Sequence, residues 1–343
     1  GRNQAVTQLS GRTTHAFLTN IPPSAPAATL TVDQSANTVF NGRLAGALSL
    51  VKAGSGSLTL SNNLSTTTGD ITVSNGTLVV EAGAGFGSST NFLVAGGTLD
   101  VRVAAVIPDT ATLLIADGAK VTLGVGLTET VDKLFLNGVQ QPRGFYGTAA
   151  SGAMYADDAH FGGTGLLYVN SNPVITPSSF TWDAGGADLL LSTATNWDGD
   201  AVPPLNGTAL AVFATGGITA VVDTAVSLYG ITFNRDGAFA LAAGAAGVIS
   251  NGAGGISAAA PAAARTYTVS EDLVLTDHQT WRASTNTTGM TTLNMAGTID
   301  DGLLPCNITK TEFGPLWLTA SNTFDGTLTL NAGDVNISHS QAL

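Results

Sequence analysis

The residues best suited to chemistry in this 343-residue chain are few and far apart. His160 follows Asp157 and Asp158 in the run "ADDAHF", and these residue types can ligate a metal ion. One histidine and two adjacent aspartates are too few for a site, and neighbouring strand residues point to opposite faces. A turn closed by a hydrogen-bonded histidine is the plainer reading. In "NWDGDAVPP" (Asn196–Pro204), Asp198 and Asp200 resemble the opening of a calcium loop. The later glutamate and the full spacing of such a loop are missing, so they stand as incomplete calcium candidates. "DAGGAD" (Asp183–Asp188) resembles the glycine-aspartate turns that bind calcium in other repeat proteins, but it does not recur. Cys306 is the one cysteine, set in the apolar run "LLPCNIT", so it cannot form an internal disulfide and reads as a buried, inert thiol.

A hydrolase or lyase acting on polysaccharides would need carboxylates, or a carboxylate and a base, converging on one face. Only 10% of the residues are charged, against a usual figure of about 25%, so most short segments carry no charge to converge. The chain is therefore expected not to be an enzyme, a polysaccharide-degrading enzyme being the remotest alternative, and no cofactor is implied. The formal net charge of −12 offers no basic patch for nucleic acid. No apolar run is long enough for a membrane-spanning helix. Gly1-Arg2-Asn3-Gln4 lacks the layout of a secretory signal, so the chain is expected to be a mature piece of something longer.

What could position such residues is a repeat. "SNGTLVV" (Ser74–Val80) returns as "AGGTLDV" (Ala95–Val101), and the glycines before these strands fall at 56, 76, 97, 118 and 138. Short runs such as "SLTL", "TLVV", "TLDV" and "KVTL" follow the first four, bounded by Gly, Asn, Ser and Asp, which is a strand signature. No segment has the length and 3.6-residue period of a helix. Turns recurring at constant phase favour a β-solenoid over a sandwich, because every coil must bend where the last one bent. The expected fold is all-β, a parallel β-helix with about 20–21 residues per coil. Gly56, Gly76, Gly97 and Gly118 are its expected corners, where a Cβ would meet the next coil and a positive φ is needed.

A larger repeat encloses the small one. "KAGSGSLTLSNNLSTTTGDITVSNGTLVV" (Lys52–Val80) aligns with "KTEFGPLWLTASNTFDGTLTLNAGDVNI" (Lys310–Ile337), matching Lys52 to Lys310, Gly56 to Gly314 and Gly76 to Gly333, so that Gly314 and Gly333 are expected corners as well. Residues 1–170 read as the C-terminal part of one solenoid unit, with coils to about 136 and hairpin-like closing strands over 137–169. Residues 171–180 are the junction, where short irregular insertions are expected, and 181–343 the N-terminal part of the next unit. Trp182 and Trp197, in "TWD" and "NWD", are expected to plug that unit's first coil, with stacking on a glycan ring as the alternative.

The Lys310–Ile337 segment resembles the autotransporter-associated β-strand repeat. It keeps the lysine, an early glycine, Asn322-Thr323-Phe324, Gly326 and Gly333, places Glu312 where the pattern has its first glycine, and inserts Phe313 and Trp317. The N-terminal copy keeps Gly54 and Gly56 but has "NNLSTTTG" in place of the Asn-Thr-aromatic segment. The resemblance implies bacterial export, a parallel β-helix and extracellular or cell-surface display, and no chemistry.

Two functions follow as expectations. One is an extracellular structural solenoid, a segment of a fibre, stalk or surface layer that associates with itself head-to-tail or laterally. The other is a cell-surface adhesin presenting aromatic and Asn/Thr-rich faces to glycans. Neither end of the sequence shows a polar cap, so the chain is expected either to continue beyond both or to stack end on end.

Overall fold

Alternation of apolar and small polar residues along runs of three to six residues makes each run a strand with one buried face. In Ser57–Leu60, Leu58 and Leu60 are buried while Ser57 and Thr59 are not, and the same pattern holds at Thr98–Val101 and Lys120–Leu123. The computed structural model describes residues 2–20, 27–61, 66–81, 85–259, 263–285 and 289–340. The expectation of uncapped ends falls partly on Gly1 and residues 341–343, and part of "NNLSTTTG" on residues 62–65; these lie outside the described residues. The chain divides into two compact units, Gly1–Pro173 and Val174–Leu343. Both are all-β parallel solenoids, with roughly 22 residues per turn.

In the first unit, one sheet runs through Gln4–Val6, Ala28–Asp33, Leu48–Ala53, Ile71–Val73, Asn91–Val94, Thr112–Ile115 and Lys133–Leu136, each strand parallel to the next. A second sheet runs through Thr38–Phe40, Ser57–Leu60, Thr77–Val80, Thr98–Val101, Lys120–Leu123 and Phe161–Gly163, again all parallel. A shorter third sheet holds Phe17–Thr19, Arg43–Gly46 and Thr66–Thr67. Leu78 pairs with Leu58 on one side and Leu99 on the other, so the sequence interval is one coil. Like residues therefore stack in rows: Leu58, Leu78, Leu99, Val121 and Phe161 form one, and Leu50, Ile71, Phe92, Leu113 and Leu134 another. All ten are buried, and this continuous apolar core holds the coils together.

The parallel run of the first unit gives way to antiparallel pairing. Asn137 and Gly138 both take positive φ, 52° and 81°, the conformation of a tight two-residue hairpin turn. Val139–Gln140 accordingly folds back on Lys133–Leu136, and Gly144–Gly147 runs antiparallel to Leu166–Val169.

In the second unit, one sheet contains Ser178–Trp182, Ala209–Phe213, Ala225–Phe233, Val248–Ala258, Gln279–Ala283, Ile308–Thr311 and Leu328–Leu330. The other contains Thr219–Val222, Phe239–Ala243, Arg265–Val269, Thr291–Met295, Leu316–Leu318 and Val335–Ile337. Every pair in both is parallel. Here the coils are longer: Ile231, Ile256 and Trp281 are successive neighbours. Extra residues enter beside the irregular pairing between Leu228 and Gly230, and the small strands Leu273–Leu275 and Ile299–Asp300 are added alongside. That is why the average coil exceeds the 20–21 residues read from the first unit. Aromatic rings fill this core: Phe213 lies 5.6 Å from Phe233, which stacks on Tyr267 at 4.9 Å.

Candidate functional site

The residues that do the most specific work lie at the corners. On one sheet of the first unit the inward row reads Val32, Lys52, Val73, Val94 and Ile115. Lys52 is fully buried in that apolar row. Its Nζ donates to the carbonyl oxygens of Ala53 (2.6 Å), Gly54 (2.9 Å) and Asn75 (3.2 Å), the first two in its own corner and the third in the next coil's. Burial holds the ammonium below its ordinary pKa, and the charge of Asp33 pulls it back up. A buried cation is tolerated only when its donors are satisfied, and three carbonyls satisfy all three.

Lys310 is also fully buried and donates to Thr311 (2.6 Å), Glu312 (2.7 Å) and Ala332 (3.3 Å). Burial lowers its pKa too, opposed by Glu312 and Asp334. Asp301 is the inverse device: a buried carboxylate whose Oδ2 accepts from the backbone N–H groups of Cys306 (2.8 Å), Asp325 (3.0 Å) and Gly326 (3.1 Å). Glu129, fully buried, accepts from Ile107 N at 2.5 Å, and its second oxygen has no partner. Burial pushes its carboxyl up to about 7, against the lowering effect of the N–H groups of Ile107, Ala105 and Val106. These buried ionisable side chains clamp the backbone of turns. Sequence reasoning passed over their roles, although the identical placement of Lys52 and Lys310 was a visible signal.

The glycines at the expected corners serve two different needs. Gly56, Gly76 and Gly97 follow one another up one edge: a Cβ on Gly97 would lie 2.5 Å from the Gly76 oxygen, and one on Gly76 2.5 Å from that of Gly54. Gly314 is likewise closed in by backbone, at Thr291 and Ala283. Positive φ belongs only to Gly76, Gly118 and Gly333 of this set, and at Gly118 nothing lies within 4 Å of the missing Cβ. Positive φ is thus not a common requirement of the corners; crowding from the neighbouring coil is what excludes a side chain at Gly56, Gly97 and Gly314.

Trp182 and Trp197 meet edge to face at 5.4 Å and are buried, 0% and 2% exposed, so neither indole presents a face to a sugar. Trp197 Nε1 donates to Leu191 O at 2.8 Å, whereas Trp182 Nε1 has no partner. Asp198 and Asp200 are both exposed, and Asp200 has positive φ (54°). The carboxylates of "DAGGAD" close turns: Asp183 accepts from Gly185 N, and Asp188 from Leu190 N, Thr193 and Asn196. His160 donates through Nδ1–H to Asp157 Oδ2 at 2.6 Å. Burial alone would raise the Asp157 carboxyl, but this bond and the N–H groups of His160 and Ala159 hold it below its ordinary value. Cys306 is buried, its Sγ 3.1 Å from Leu304 O. Among the described residues, no group of three or more His, Cys, Asp or Glu gathers as a metal site, and no helix is long and apolar enough to cross a membrane.

Comparison with known proteins adds one finding. The family model described as passenger-associated-transport-repeat matches twice, at residues 50–80 and 308–337. No curated protein and no solved structure matches the chain. Each match spans one buried lysine, its carbonyl cage and the glycine corner beside it. The chain is a parallel β-solenoid bearing two passenger-associated-transport-repeats, the repeat of autotransporter passenger β-helices.

Proposed function

We propose that the chain is a segment of an extracellular structural protein whose solenoids stack end on end into a fibre, stalk or surface layer, and that it has no catalytic role. The observation that carries this reading is the regular parallel register of the coils, in which every strand pair of both sheets of the second unit is parallel, on a chain of which only 10% of the residues are charged. Coils of this kind are joined by backbone pairing and stacked apolar rows, and the same contacts can join the coils of successive copies. A heterologous contact that does not close on itself grows into a filament. A surface with few charges carries little electrostatic penalty against this, and an interface of backbone bonds is insensitive to salt. Size-exclusion chromatography with light scattering on the 343 residues, followed by negative-stain images, tests it. Concentration-dependent linear oligomers are expected; a monodisperse monomer at high concentration refutes stacking.

A specific feature favours an adhesin as the second reading. Trp317 is 44% exposed and sits between Asn294 and Asn336 on adjacent strands, an aromatic flanked by amides as a sugar ring would meet it. Retention on a glycan array that Trp317→Ala abolishes would support this reading over the first.

A further inference from the structure

The core of the second unit is not filled. A cavity of about 250 Å³ lies under the strap that follows Trp197, in the coil interior behind Phe213, Leu228, Leu241 and Ile249. One of its lining residues, Ala211, is small. Along the inward row Phe180, Ala211, Ile231 and Ile256, the second position alone lacks a large side chain. Val202 and Pro203 of the strap roof the space, and Leu205, 49% exposed, stands at its rim.

The walls are almost wholly apolar, and of the three polar side chains in them, Ser192, Trp197 and Thr224, the first two are already engaged. Trp197 Nε1 is bonded to Leu191 O, and Ser192 Oγ to Asp223 Oδ2 at 2.5 Å. A water molecule needs two to four polar partners to remain in such a space. Protein interiors rarely leave a void of this size, and an apolar cavity of about 150 Å³ is already enough to take up benzene.

We propose that this cavity binds a small uncharged apolar molecule of one or two rings. Shape and burial of apolar surface supply the affinity, and a ligand with a donor or acceptor finds no side-chain partner in the walls beyond the Thr224 hydroxyl. The site therefore discriminates against polar isosteres of a ligand it accepts.

Indene and indole test this, being of one shape and differing by a single N–H. On the full chain, titration followed through the Trp197 Nε1–H resonance is expected to saturate with both, with indene binding roughly tenfold more tightly. Ala211→Phe, which restores the side chain found at Phe180, is expected to abolish the indene shift. Should that variant fail to fold, Ala211→Ile copies the neighbours Ile231 and Ile256 and is expected to weaken indene binding at least severalfold. Absence of a saturable shift up to the solubility limit would overturn the proposal and leave only a packing void. Indole binding as tightly as indene, or indene binding unchanged in a folded Ala211 variant, would overturn it equally.

Discussion

Lys52 and Lys310 make the same three bonds: each Nζ donates to the carbonyl of the following residue, to the one after that, and to the corner of the next coil. The two share a position in both family matches. Each ties two successive corners together from within the core, where no water can replace it.

Lys52→Met keeps most of the side-chain volume and removes the donors. The Gly54 and Asn75 carbonyls lose the lysine inside the protein, while the Ala53 oxygen keeps its bond from Gln34 N. Removing partners from buried acceptors outweighs the relief of desolvating one cation. The variant is expected to lose about 3 kcal/mol of stability, read from the midpoint of chemical denaturation, and Lys310→Met to behave alike. An unchanged midpoint would show that the cages are incidental.

The two cages differ at one residue. Gly54 has φ 71° in the first; Glu312 has φ 66° in the second, where a side chain costs about 1 kcal/mol. Glu312→Gly is accordingly expected to stabilise the second unit by about 0.5–1 kcal/mol, despite removing the charge that favours the Lys310 ammonium. Denaturation of the two proteins side by side checks the sign.

Much of this architecture was legible because a solenoid writes its coil length into the sequence. The recurrence from Leu58 to Leu78 to Leu99 is the register of the sheet itself. The hairpin-like reading of 137–169 anticipated the antiparallel pairing, while the turn at Asn137 and Gly138 emerges only from the backbone, since Gly138 reads in sequence as one more member of the coil series. The second unit was harder to read, because its coils absorb insertions that move Ile231, Ile256 and Trp281 out of the short period. Buried ionisable groups were invisible for a different reason. Lys52, Asp301 and Glu129 look like ordinary surface residues until the backbone groups around them are placed, since their partners are carbonyls and amides that every residue carries.

Corner glycines should separate by mechanism. Gly97→Ala drives a Cβ to 2.5 Å from the Gly76 oxygen and 3.0 Å from Asn75 C, both rigid backbone of the neighbouring coil. Gly118→Ala meets open space and bears only the cost of positive φ, about 1 kcal/mol. Gly97→Ala is expected to cost at least about twice as much, as strain in a close-packed interior. Equal losses would mean that the coils can slide apart to admit a methyl group.

The tryptophan pair allows a similar contrast. Trp182→Phe removes a buried N–H that has no partner, which offsets part of the lost volume, so a loss under about 1.5 kcal/mol is expected. Trp197→Phe breaks the bond to Leu191 O and leaves that carbonyl short of a donor at the edge of the cavity. It is expected to cost about 1–3 kcal/mol more than its counterpart, measured by denaturation of the single variants.

Glu129 should make the first unit less stable as pH rises. Burial raises its carboxyl from an ordinary 4.5 to about 7 in the folded chain. Below about pH 4.5 the group is protonated folded and unfolded, and its contribution is at its most favourable. Between about 4.5 and about 7 the unfolded chain gives up the proton while the folded one retains it, so stability falls with rising pH. Above about 7 the loss is complete, on the order of 3 kcal/mol. The ionised form would leave the partnerless oxygen as a buried charge, with Ile107 N serving only the other oxygen. Glu129→Gln keeps the shape and the acceptor for Ile107 and cannot ionise. Denaturation midpoints at about pH 5 and about pH 8 are expected to drop in the unaltered protein and to converge in the variant. A drop of equal size in Glu129→Gln would assign the pH dependence to other groups.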